Sequence, residues 1–230
     1  PTFARVEEFT PANLAITSWS FATLNYRDDM VMKRINRAAL QRLPEFEAQS
    51  LANMAWSLAT IRFKDDVLMH HIAGAALQKL GGFSPQHVAN LAWSFATLGR
   101  RSVALFEPLE SRAVDLLGDQ QVDFHPLDLA LCSWSFAWLE HAGPDSKLLQ
   151  AVSRVALQSL DNFSTQQLAN MLWGFDHANY ADADFYVAVT RWLCKRPERW
   201  WEHAAGEELV SILTALRPFA SGEAGWSRLE

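Results

Sequence analysis

Apolar and polar positions follow a helical period along this chain, and the whole pattern recurs. The segments FTPANLAITSWSFATL, FEAQSLANMAWSLATI, FSPQHVANLAWSFATL, FHPLDLALCSWSFAWL and FSTQQLANMLWGFDHA begin at Phe9, Phe46, Phe83, Phe124 and Phe163. Each carries a tryptophan ten residues later, at Trp19, Trp56, Trp93, Trp134 and Trp173, so the tryptophans are 37, 37, 41 and 39 residues apart. Self-similarity at such a period is the mark of a repeat architecture. A weaker sixth copy is read at LVSILTAL, with Ser211 in the place of the tryptophan.

Each unit predicts two helices. Helix A starts just after the phenylalanine, with Thr10, Ser84 or Ser164 as N-cap and Pro11, Pro85 or Pro126 at the first helical position, where a missing N–H costs nothing. Helix B is clearest over 28–43, 65–80 and 145–160, where an acidic first turn suits the helix dipole and Val31, Ile35, Ala38, Ala39 and Leu43 share one face. Pro108 falls within helix B of the third unit and predicts a late start or a kink there. One such pair cannot bury its apolar face alone, whereas stacked pairs share a continuous core. The expected fold is all-α: an α-solenoid of five to six αα-hairpins forming a single domain over 1–230. Its units are expected near 9–45, 46–82, 83–123, 124–162 and 163–200, with a degenerate cap over 201–230.

Placed on a helical wheel, helix A of the second unit has an apolar arc wider than half its circumference. Its other residues, Gln49, Ser50, Asn53, Ser57 and Thr60, form one uncharged polar arc. Gln86, His87, Asn90, Ser94 and Thr97 repeat it in the third unit, and Gln166, Gln167, Asn170, Gly174 and His177 in the fifth. Charge gathers on helix B, which is read as the outer, solvated face; helix A is then the inner face, lined by amides and hydroxyls. Such a lining suits a surface that reads hydrogen-bond donors and acceptors, as helical-repeat RNA binders do base by base. Two roles stay open for Asn53, Asn90 and Asn170: a ligand contact, or a buried ladder tying neighbouring A helices together. Exposure is expected for Gln49, Gln86 and Gln166. The repeat phenylalanines and tryptophans are read as structural core, the tryptophans in preference to a base-stacking platform. The fourth unit breaks the polar arc with Leu127, Leu131 and Trp138, a substitution that fits burial against a partner protein.

Composition narrows the classes. The chain is 50% hydrophobic and 20% charged, which excludes a disordered tail. No apolar run is long enough to span a membrane. Cys132 and Cys194 are too few for a disulfide framework or a four-ligand zinc site. Net charge is −6, a balance that argues mildly against a dedicated nucleic-acid binder, but it is uneven: +4 over residues 26–101 and −10 over the rest. Any phosphate-tracking surface is therefore expected in the N-terminal half, supported by Arg100 and Arg101, while most basic residues are read as a solvated helix-B face. The seven histidines show no ligand spacing, His70 and His71 point about 100° apart on a helix, and no glycine-rich phosphate loop occurs. No metal, cofactor, small-molecule substrate or enzymatic activity is expected.

At QSLANMAWSLATI, SPQHVANLAWSFATL and STQQLANMLWGF the chain resembles the octotricopeptide-like helical repeats of organelle proteins, including arrays that precede RAP domains. The resemblance covers about residues 9–178. It implies an α-solenoid in a chloroplast or mitochondrion that binds single-stranded RNA in transcript processing, stability or translation. It implies as an alternative a protein–protein scaffold subunit of a large organellar complex, such as a ribosome or a photosynthetic or respiratory assembly. Under the first reading the RNA contacts are Gln49, Asn53, Gln86, Asn90, Gln166 and Asn170, with Arg100 and Arg101; under the second, Leu127, Leu131 and Trp138 meet protein. No transit peptide is visible after Pro1.

Overall fold

The computed structural model describes residues 2–202 and 204–219, and among them it contains helices and no strand. The first helices in chain order are α1 (Pro11–Thr23), α2 (Asp29–Arg42), α3 (Ala48–Thr60), α4 (Asp66–Gln78), α5 (Pro85–Thr97) and α6 (Val103–Gly118). Then come α7 (Pro126–Trp138), α8 (Lys147–Gln158), α9 (Thr165–His177), α10 (Ala183–Leu193), α11 (Glu198–Trp201) and α12 (Gly206–Leu216). The odd-numbered helices from α1 to α9 are the A helices, each thirteen residues long. The even-numbered ones from α2 to α10 are the B helices. The fold is an all-α helical-repeat array.

Both ends of an A helix are set by local chemistry. Thr10, Ser84 and Ser164 accept from the backbone N–H three residues on, and Pro11, Pro85 and Pro126 open their helices. In α5 and α9 a capping box closes the turn, because His87 and Gln167 accept in return from the N-cap backbone. At the other end, Asn25, Arg62, Gly99, Glu140 and Asn179 each lie six residues past the tryptophan and take positive φ between 49° and 67°. The N–H groups around each of them, for example Arg62 to Ala59 and Phe63 to Leu58, reach back to carbonyls of the last turn. This is the Schellman arrangement, repeated five times.

B helices start on a capping side chain as well: Asp28, Asp65, Ser146 and Asp182 accept from the first turns of α2, α4, α8 and α10. Two of these caps also hold the preceding repeat. Asn36 donates to Asp65 at 2.9 Å, and Ser153 to Asp182 at 3.1 Å. Pro108 does not delay its helix. α6 begins at Val103 and continues through the proline, held by Leu105, Phe106, Leu109 and Ala113, all fully buried along one face.

The chain divides into two compact units, residues 1–112 and 113–230. In the first, α3 packs between α1 and α5; in the second, α9 packs between α7 and α12. Phe46, Phe83, Phe124 and Phe163 are buried at the starts of their repeats, and Phe9, at the N-terminal end, is half-buried. The sixth copy is real but its alignment shifts by one helical turn. α12 takes the place of an A helix against α9, and its buried Ile212, Ala215 and Leu216 match Met171, Gly174 and Phe175. Thr214, and not Ser211, therefore stands at the tryptophan position, and Ser211 at the asparagine position. With nothing described packed beyond it, α12 leaves Val210 64% exposed, where Ala52, Ala89, Ala130 and Ala169 are buried. Residues 220–230 of the expected cap lie outside the described residues.

Candidate nucleic-acid interface

In the first unit the outward face of the A helices carries one row of each residue type. Gln49 and Gln86 are exposed; Asn53 and Asn90 are half-exposed, as are Thr60 and Thr97. No hydrogen bond joins the Asn53, Asn90 or Asn170 side chain to another described residue, so the asparagine ladder between A helices does not form. The amide groups of Asn53 and Asn90 are left to solvent or a ligand.

The polar arc is narrower than the wheel suggests. Ser57 and Ser94 are fully buried, and Ser50 is buried too. Each of the first two hydroxyls donates at 2.6 Å to a carbonyl four residues back, at Asn53 and Asn90. A hydroxyl satisfied within its own helix can be buried, and its small size lets neighbouring A helices approach. The surface that the serines vacate is filled by tryptophan.

This corrects the reading of the tryptophans as core. Trp19 is 41% exposed, and Trp56, Trp93, Trp134 and Trp173 are half-buried. They meet one another along the face: Trp19–Trp56 and Trp56–Trp93 ring centroids are 6.4 Å apart, tilted by 33°, and Trp134–Trp173 are 6.3 Å apart. An indole is too large for the narrow seam between A helices, so it lies across the seam and covers it. Periodicity alone places Trp at the edge of the apolar arc without deciding this.

The second unit departs from the first at the same positions. Leu127 is 49% and Trp138 45% exposed, while Leu131 is half-buried. The Trp138 ring lies 5.5 Å from Trp134 at 12°, and His177 stacks on Trp173 at 4.6 Å and 14°. His177 occupies the position of Thr60 and Trp138, a register that marks it as part of the surface; sequence reading had placed it only in the polar arc. Gln166 is exposed and Asn170 half-exposed beside this cluster.

A family model for the RNA-editing substrate-binding complex 6 protein matches residues 1–144. The chain belongs to that family. No curated protein matches it. Within this family member, the matched residues cover the whole first unit and α7, including Trp134 and Trp138.

The basic residues of this RNA-editing substrate-binding complex 6 family member sit away from the amide face. α1, α3 and α5 contain no Lys or Arg. Lys33 and Arg37 are exposed on α2, as expected for a solvated helix-B face. Arg100 is engaged in an ion pair with Asp66 at the start of α4, so it does not stand free beside the amides; Arg101 is exposed. Arg42 and Arg112 donate to the carbonyls of Phe9 and Phe83 and serve the fold.

Burial shapes two titrating groups on these helices. It lowers the pKa of His87, whose neutral ring is the acceptor in the α5 capping box. It raises that of Asp128, buried in the first turn of α7, although the His125 backbone and charge pull the other way. An open cavity of about 690 Å³ in the second unit lies between residues 117–124 and the end of α8. Its one guanidinium, Arg154, donates to the Leu117 carbonyl. Among the described residues no cluster of His, Cys, Asp and Glu is placed to hold a metal ion, and no helix is long and apolar enough to cross a membrane.

Proposed function

We propose that this chain is a non-enzymatic component of an RNA-editing substrate-binding assembly in an organelle, and that it contacts single-stranded RNA through the A-helix face of residues 1–112. The carrying observation is the pair of amides at Asn53 and Asn90, half-exposed at matching positions of adjacent helices, with no hydrogen-bond partner among the described residues. An amide is both donor and acceptor and so complements the edge of an unpaired base. Gln49 and Gln86 lie one helical turn away on the same helices, and Trp56 and Trp93 supply flat apolar surface beside them. The family name, which refers to an RNA-editing substrate-binding complex, supports the same reading.

The test uses positions where the chain itself tolerates an apolar residue: Ile16 and Leu131 stand where Asn53 and Asn90 do. Asn53→Leu with Asn90→Leu is therefore compatible with the fold. Fluorescence anisotropy with a labelled single-stranded RNA should show the double variant bound about 30-fold more weakly, at about 1 kcal/mol for each of two lost hydrogen bonds. Unchanged affinity would remove the amides from the interface. The exposed Leu127 and Trp138 favour a second role for residues 113–230, as a protein-binding surface within the same assembly.

A further inference from the structure

We infer that the face formed by Leu127, Leu131, Trp138, Trp173 and His177 docks a partner protein through a segment bearing arginine and aliphatic side chains. This rests on reading that face as protein-binding, and names the chemistry it recognises. Four aromatic rings make one continuous surface: Trp134 lies against Trp138, Trp138 is 5.8 Å from Trp173, and Trp173 carries the stacked His177. Two large apolar side chains, Leu127 and Trp138, are about half-exposed on it. α3 and α5 place Gln, Asn and Thr at the positions that α7 gives to Leu127, Leu131 and Trp138. The repeat fold therefore does not require apolar residues there.

Charge selects the occupant. Residues 113–230 carry 16 Asp and Glu against 8 Lys and Arg. The A helices of this unit hold Asp128, Asp176, Glu207 and Glu208 and no Lys or Arg. Asp128 is buried, but Asp176, next to His177, is exposed. A phosphate backbone approaching this face meets that carboxylate on helices with no Lys or Arg to receive it, whereas a guanidinium gains from both the carboxylate and the π faces. Arginine is favoured over lysine because its planar, weakly hydrated head stacks on indole and imidazole. Leu127 and Leu131 then take the aliphatic side chains of the same segment.

The experiment compares three probes by anisotropy: a ten-residue peptide of alternating arginine and leucine, its lysine counterpart, and a twelve-residue oligouridine. The arginine peptide should bind at least about threefold tighter than the lysine one, the margin of an exposed cation–π contact. The variant Leu127→Gln, Leu131→Asn, Trp138→Thr should abolish that preference and leave oligouridine binding unchanged. Trp138→Thr alone should move the preference in the same direction, and it keeps the test readable if the triple variant is unstable. Equal affinity for the two peptides, or an arginine preference that survives both variants, overturns the arginine assignment. A loss of oligouridine binding in Trp138→Thr overturns the protein-binding reading itself and assigns the face to RNA.

Discussion

Gly174 shows how much one missing side chain decides. Ser20, Ser57, Ser94 and Ser135 occupy the same position after the repeat tryptophan, so consensus reasoning favours serine there. A Cβ at Gly174 would lie 2.6 Å from the backbone carbon and oxygen of Ser133. The α7 and α9 backbones touch at this point, and neither side can yield as a flexible side chain would. Gly174→Ala should therefore lower stability by about 2 kcal/mol through overpacking, read from chemical denaturation, and the consensus change Gly174→Ser should do no better. The sequence shows that a glycine replaces serine but not that two main chains meet there. The tryptophans carry the same lesson. Their spacing was legible at once, while their half-exposure depends on how closely neighbouring A helices approach.

The start of each A helix was legible, because caps and first-turn prolines act locally. The Schellman turns were not, since Arg62 and Glu140 are unusual residues for positive φ and only the preceding helix forces them into it. The capping box of α5 carries a pH-dependent consequence. Ser84 N–H donates to His87 Nδ1 at 3.3 Å, which requires the neutral ring. Burial lowers the His87 pKa, so the folded state holds its proton less tightly than the unfolded chain. The contribution is present above the unfolded value, about 6.5, and is lost as pH falls through the depressed folded value. His87→Gln installs the partner that Gln167 provides in α9, an acceptor at every pH. Its stability at neutral pH should stay within about 0.5 kcal/mol of the parent, and thermal unfolding between pH 7 and pH 5 should lose the histidine-dependent part of the acid destabilisation.

Across the whole molecule, charge and surface chemistry divide with the two compact units. Residues 1–112 hold 12 Lys and Arg against 10 Asp and Glu, and the remainder is strongly acidic. This asymmetry was visible in the sequence; the ion pair that occupies Arg100 was not, because its partner is 34 residues away. The amide face lacks Lys and Arg, so RNA affinity should depend only weakly on salt. Raising monovalent salt from about 50 to 200 mM should cost less than about tenfold, the loss expected for one or two phosphate contacts to a single strand. A far steeper fall would move the contact to the basic outer helices. The equal length of the A helices carries one more implication. Each runs thirteen residues and stops at a turn six residues past its tryptophan, so the steps of 41 and 39 residues draw their extra length from the segments between one A helix and the next. Within each unit the side chains that neighbouring A helices offer a ligand therefore keep one phase relative to the repeat tryptophan, whatever the length of the link between them, as evenly cut teeth do on a comb.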